Sequence, residues 1–80
     1  MTDKSQISQI DAATLKTVGL NIRKYRKLKG LTQNELADLA MISRSQGQAY
    51  EYGTINQSVI SLRKIASTLG ISMSKLFDEL

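Results

Sequence analysis

The stretch LTQNELADLAMISRSQGQAYEYG, residues 31–53, decides the fold. It reads as two short helices separated by a turn around Met41 and Ile42. Thr32 and Glu35 form a T-x-x-E capping box, in which each side chain satisfies a backbone donor of the other residue. Leu31 before the cap and Leu36 four positions after it suit a hydrophobic staple. This helix ends near Ala40 or Met41. Ser43 and Gln46 open the next helix with a second box pattern, S-x-x-Q, and Gly53 follows its end at Tyr52. The side chains of that helix are mostly polar: Arg44, Ser45, Gln46, Gln48, Tyr50 and Glu51. A helix with so small an apolar face is either solvated or set against a polar partner.

Two short helices at this spacing are the signature of a helix-turn-helix, whose second helix enters the major groove of DNA. Arginine makes a bidentate contact to guanine, glutamine does the same to adenine, and serine donates or accepts. Arg44, Ser45, Gln46 and Gln48 are therefore the candidate base readers, the bland alternative being an exposed polar surface. Gln46 has two readings, cap partner and base reader. Ser43 is a cap first and a phosphate contact second.

Outward from this stretch the chain stays helical. Leu15, Val18, Ile22 and Tyr25 recur at helical spacing and predict a first helix from about residue 11 or 12 to residue 29, weakened locally by Gly19. Ser58 caps a fourth helix with Leu62, Ile65, Ala66 and Leu69 as its buried stripe. Ser72 caps a short fifth, in which Leu76, Phe77 and Leu80 are apolar. Gly30, Gly53 and Gly70 each follow a helical pattern, where a left-handed C-cap glycine belongs. No strand alternation is present. The expected fold is all-α, a compact five-helix bundle containing a helix-turn-helix, over residues 11–80. Residues 1–10 are polar and read as a flexible N-terminal segment.

Composition narrows the function. Eighty residues fit one small domain, and with no cysteine and no histidine neither a disulfide nor a typical zinc site supports it. No metal and no cofactor are expected. The same absences, with no glycine-rich phosphate loop, argue against an enzyme. The chain has no apolar leader and no 18-residue apolar run, so neither a signal peptide nor a membrane span is expected; the location implied is cytoplasmic. The 11 Lys and Arg exceed the 7 Asp and Glu. Arg23, Lys24, Arg26, Lys27 and Lys29 crowd into one stretch, which alone is either a solvated helix face or a nucleic-acid-facing patch.

Residues 20–77 resemble the lambda-repressor/Cro-type helix-turn-helix family, also called the xenobiotic-response-element type. The resemblance is carried by IRKYRKLKGLTQNELA, ISRS, EYG, N-x-S, LRKIASTLGIS and KLF. It implies a five-helix domain with the third helix as recognition helix. It places Thr32, Gln33 and Asn34 near the phosphate backbone, with Thr54 and Asn56 in a second backbone-contacting region, and sets Arg44, Ser45 and Gln48 where bases are read. It also implies a structural pair between Arg26 and Glu51. Gly47 departs from the pattern, which has a bulky aliphatic residue facing the core there. Either a neighbour fills the space, or glycine leaves the third helix weakly held and an aliphatic side chain would stabilise it.

The function expected is that of a sequence-specific double-stranded DNA-binding transcriptional regulator, most simply a repressor, similar to phage repressors and restriction–modification controller proteins. Two copies reading half-sites about 34–36 Å apart gain affinity and specificity, so a homodimer is expected. By the same resemblance Leu76, Phe77 and Leu80 form its surface, unless they are core. The rival expectation is a protein-interaction module of antitoxin or anti-repressor type. A weakly held third helix would favour it.

Overall fold

The computed structural model describes the backbone of residues 4–79 and the side chains of residues 9 and 11–79. Four α-helices, α1 (Lys4–Leu28), α2 (Gln33–Ala40), α3 (Arg44–Tyr52) and α4 (Val59–Leu69), are followed by a 3₁₀ helix, Met73–Phe77. No strand forms among the described residues. The all-α expectation is met, with two differences in its elements. The fifth helix is 3₁₀, and Ser72 makes no side-chain capping bond to it; its hydroxyl pairs with that of Ser74 at 2.9 Å instead. At five residues it is slightly longer than most 3₁₀ runs, which serve as short terminal turns and connectors. The first helix begins at Lys4 rather than near Asp11, so the N-terminal ten residues are helical from Lys4 onward. They contain neither proline nor glycine to break the helix.

The caps follow the sequence. Thr32 Oγ1 accepts from Glu35 N at 3.1 Å, and Glu35 Oε1 accepts from Thr32 N at 2.9 Å, completing the box. Ser43 and Ser58 hydroxyls accept from Gln46 N and Ser61 N. Gly30, Gly53 and Gly70 all take left-handed φ values. So does Met41, at φ 58°, as the C-cap of α2. An exposed non-glycine residue there turns the chain between α2 and α3.

The core gathers one face of each helix. Val18 and Ile22 of α1 meet Leu36 and Ala40 of α2, Tyr50 of α3, and Leu62, Ile65, Ala66 and Leu69 of α4, with Leu76 closing the end. Leu15 and Tyr25 are only half-buried. Buried polar groups tie these elements together. Asn21, 1% exposed, donates to the carbonyls of Leu76 (2.9 Å) and Asp78 (2.7 Å), anchoring the C-terminal turn to α1. Gln57 donates to the carbonyls of Leu15 and Tyr50, joining the α3–α4 loop to α1 and α3. No buried side-chain donor or acceptor among the described residues lacks a partner.

Gly19 has a role that helical periodicity does not reveal. A Cβ built on it would press into the carbonyl oxygen of Glu51 and lie 2.7 Å from that of Tyr50. The last turn of α3 therefore crosses α1 at a point that admits only glycine.

Candidate nucleic-acid interface

The α2–turn–α3 unit is positioned by three sets of contacts. Arg26, on α1, lies buried beside Glu51 at the end of α3: its Nε donates to Oε2 at 2.8 Å and its Nη2 to Oε1 at 3.0 Å. Its Nη1 also donates to the carbonyl of Leu31 at 2.7 Å, so one guanidinium joins α1, α3 and the entry to α2. Arg26 is thereby removed from the basic stretch. Arg23, Lys24, Lys27 and Lys29 are exposed, with Lys24 Nζ 5.3 Å from the centre of the Tyr25 ring.

The second set centres on Tyr50, 1% exposed and part of the core. Its hydroxyl accepts from Ser58 N at 3.1 Å and from Gln46 Nε2 at 2.9 Å, and Gln46 Nε2 also reaches Ser61 Oγ at 3.2 Å. Burial works to raise the pKa of this phenol, but hydrogen bonds from Ser61, Ser58 and Gln46 together outweigh it and hold it below the ordinary tyrosine value. This corrects both expectations for Gln46. Its amide is turned inward to the α3–α4 contact, so it neither completes a capping box with Ser43 nor projects outward as a base reader. An unpartnered Tyr50 hydroxyl and Ser61 in this buried position would be costly, and Gln46, one turn before Tyr50, lies within reach of both.

The third set is the α2–α3 contact at Gly47. A Cβ there would lie 3.2 Å from the Cβ of Ala37 and 3.7 Å from Ile42 Cδ1. The expectation that Gly47 leaves an unfilled site is therefore corrected. The helices have closed up, with Ala37 fully buried opposite the glycine. Gly47 is a place of close approach rather than a defect.

The outward side of the unit carries the remaining candidates. Arg44, Ser45 and Gln48 are exposed on α3, and Ser43 is exposed at its N-cap. Thr32 and Asn34 are exposed at the start of α2, while Gln33 is half-buried. Thr54 and Asn56 are exposed in the following loop; the Thr54 hydroxyl donates to the Ala49 carbonyl at 3.4 Å. Two helix N-termini thus open towards solvent beside polar side chains, a geometry suited to phosphate groups. Arg44 is further engaged: Nε donates to Asp38 Oδ1 at 3.2 Å and Nη2 to Oδ2 at 2.8 Å. The Arg44 hydrogen bonds hold the Asp38 carboxyl below its usual range, and the same bonds push the guanidinium pKa up.

Asp38 was invisible as a site residue in the sequence. It stands six positions before Arg44, across the turn, where helical spacing makes no prediction. The signal available was a lone carboxylate in the last turn of α2 with no nearby cation on its own helix. The expected dimer residues divide. Leu76 is 0% exposed and belongs to the core, pinned beneath Asn21, so it offers no dimer surface. Phe77 is 48% exposed. Leu80 lies outside the described residues.

Comparison with known proteins agrees with this geometry. The chain is 40% identical over 62 residues to the HTH-type transcriptional regulator SlrR of Bacillus subtilis, and 40% identical over 63 residues to the immunity repressor protein of Bacillus phage phi105. These alignments cover 76% and 79% of the chain, which spans less than half the length of either relative, 41% and 44%. The crystal structure of the restriction-modification controller protein C.AhdI from Aeromonas hydrophila superposes with a TM-score of 0.78 at 37% identity, covering 81% of this chain and 98% of that one. The helix-turn-helix family profile matches residues 22–76, from the last third of α1 to the 3₁₀ helix, and the chain belongs to this family, in its lambda repressor/Cro branch.

Proposed function

We propose that this protein is a sequence-specific double-stranded DNA-binding transcriptional regulator, acting as a repressor without catalysis. The observation that carries this reading is α3 itself. Its inner side is fixed by Gln46, Tyr50 and Glu51, and its outer side presents Arg44, Ser45 and Gln48 to solvent. Such a helix supplies hydrogen-bonding groups matched to base edges on a rigid support. Thr32, Gln33, Asn34, Ser43, Thr54 and Asn56 would fix register through the phosphate backbone, which carries no sequence information. Relatives that are themselves regulators and repressors support the same reading.

A homodimer reading two half-sites fits a module of this size, because one recognition helix contacts only a few base pairs. Phe77 is the described residue of the expected surface that remains exposed. A cytoplasmic location follows from the DNA-binding role; no described helix is long and apolar enough to cross a membrane. A loosely held third helix would favour the interaction-module alternative, and the three sets of contacts to α3 speak against such looseness.

Selection of bound duplexes from a random-sequence pool tests the proposal. A regulator enriches a defined motif, two-fold symmetric for a homodimer. Recovery of unenriched sequence at moderate salt would refute it.

A further inference from the structure

We propose that Asp38 is a positioning residue for base recognition: its carboxylate grips the Nε–Nη2 edge of the Arg44 guanidinium and aims the adjoining Nη1–Nη2 edge at a guanine. The inference deepens the DNA-binding reading and rests on it.

The geometry is a fork on a fork. Asp38 engages Nε and Nη2 of Arg44 through both its oxygens. A guanidinium carries five N–H donors in a fixed plane, and two are used here. The Nη1–Nη2 edge keeps its donors, and these are the pair that matches O6 and N7 of guanine in the major groove. Without Asp38, a side chain 62% exposed on the first turn of α3 would sample many rotamers, including those that reach phosphate instead. The carboxylate limits it to those in which the free edge lies away from α2.

The placement of Asp38 is not explained by stability. A carboxylate in the last turn of a helix opposes the helix dipole. An exposed ion pair contributes little to folding, and both partners are more than half exposed. On a DNA-facing surface a carboxylate would also repel phosphate unless neutralised. Pairing with Arg44 neutralises it and leaves a net-neutral reader whose remaining donors depend on geometry rather than on charge. Such a reader discriminates bases more sharply than a free arginine, because phosphate no longer competes for the same cation.

The test uses the intact chain and a duplex selected from random sequence by the wild-type protein, then the same duplex with each base pair replaced in turn. Fluorescence anisotropy gives the preference at every position for the wild type, Asp38→Ala, Asp38→Asn and Arg44→Ala. Arg44→Ala should erase a guanine preference at one base pair. Asp38→Ala and Asp38→Asn should reduce the preference at that same base pair by about tenfold. Affinity for scrambled duplex should stay level or rise, since a negative charge is gone. Thermal melts of the variants should match the wild type, which separates aiming from folding. An unchanged base preference in both Asp38 variants overturns the proposal. So does tighter binding to every duplex with unchanged preference, which would make Asp38 a competitor of DNA rather than an aid to reading it. A wild-type protein that selects no sequence overturns the DNA-binding reading and this inference with it; selection by the wild type with an indifferent Asp38 overturns the inference alone.

Discussion

Gly19 and Gly47 are both mid-helix glycines, and each would be taken for a weakness by helix propensity alone. Their surroundings separate them. At Gly19 the obstructing atoms are backbone carbonyls of Glu51 and Tyr50, which cannot move without parting α1 from α3. Gly19→Ala should therefore cost about 3 kcal/mol, the upper range for overpacking, measured as a lower urea midpoint at unchanged slope. At Gly47 the obstacle is the methyl of Ala37 at 3.2 Å, tighter than ordinary van der Waals contact but needing α2 to give by only a few tenths of an ångström. Gly47→Ala should fall within about 0.5 kcal/mol of wild type, the helix-propensity gain offsetting the displacement. Gly47→Leu has no room and should lose about 1–3 kcal/mol; a raised melting temperature for the leucine variant would show instead that the α2–α3 gap accepts a side chain. The sequence shows that position 47 faces inward. It does not show how close α2 comes, because that distance is set by Ala37, ten residues away on another element.

At the scale of the element, capping chemistry was the most legible feature and side-chain reach the least. The Thr32–Glu35 box is local, four residues whose geometry follows from their identities, and it forms as the pattern predicts. The S-x-x-Q pattern of α3 is equally local, yet Gln46 turns inward because Tyr50 and Ser61 offer it buried partners that sequence spacing does not reveal. Tyr50→Phe tests that network. It strips the acceptor from Ser58 N and Gln46 Nε2 while keeping the ring, so a loss of about 1–3 kcal/mol is expected. A phenylalanine variant as stable as wild type would show that water replaces the hydroxyl without cost. The capping box carries a pH signature as well. The backbone N–H of Thr32 and then its hydroxyl hold the Glu35 carboxyl below its ordinary value. A carboxylate depressed in the folded state contributes stability above its unfolded pKa and loses it as pH falls through the folded one. The wild type should lose stability below about pH 4.3, the ordinary glutamate value. Glu35→Gln should lose less over that window, and equal acid sensitivity in the two proteins would assign it to other carboxylates.

For the whole molecule, charge sets the terms of any encounter with DNA. The formal net charge is +4, and the basic stretch of α1 is smaller in effect than its residue count suggests, because Arg26 is neutralised inside by Glu51. Arg44 is likewise paired, with Asp38. The cations of the basic stretch left exposed are Arg23, Lys24, Lys27 and Lys29, and the helix N-termini at Thr32 and Ser43 add partial positive charge without side-chain charge. Counterion release scales with the phosphates that cations neutralise, at a slope of about −0.9 per phosphate on duplex DNA. A dimer making roughly 6–10 such contacts would lose on the order of 10³–10⁵ in affinity between about 50 and 200 mM salt. With these pairings a slope at the low end of that range is expected. The same accounting distinguishes residues that sequence alone lumps together as polar. Gln33→Ala should weaken binding to all sequences alike and leave the slope unchanged, because an uncharged contact releases no ion. Arg44→Ala should lose base preference, about 1–3 kcal/mol for one bidentate contact, and should also weaken binding to every sequence, because the Asp38 carboxylate it leaves behind is no longer neutralised. The double variant Arg44→Ala with Asp38→Ala removes both charges and should leave the slope nearly unchanged. A slope that falls by about one unit in that double variant would show that Arg44 neutralises a phosphate, and the base reader of α3 would then have to be sought in Gln48 and Ser45.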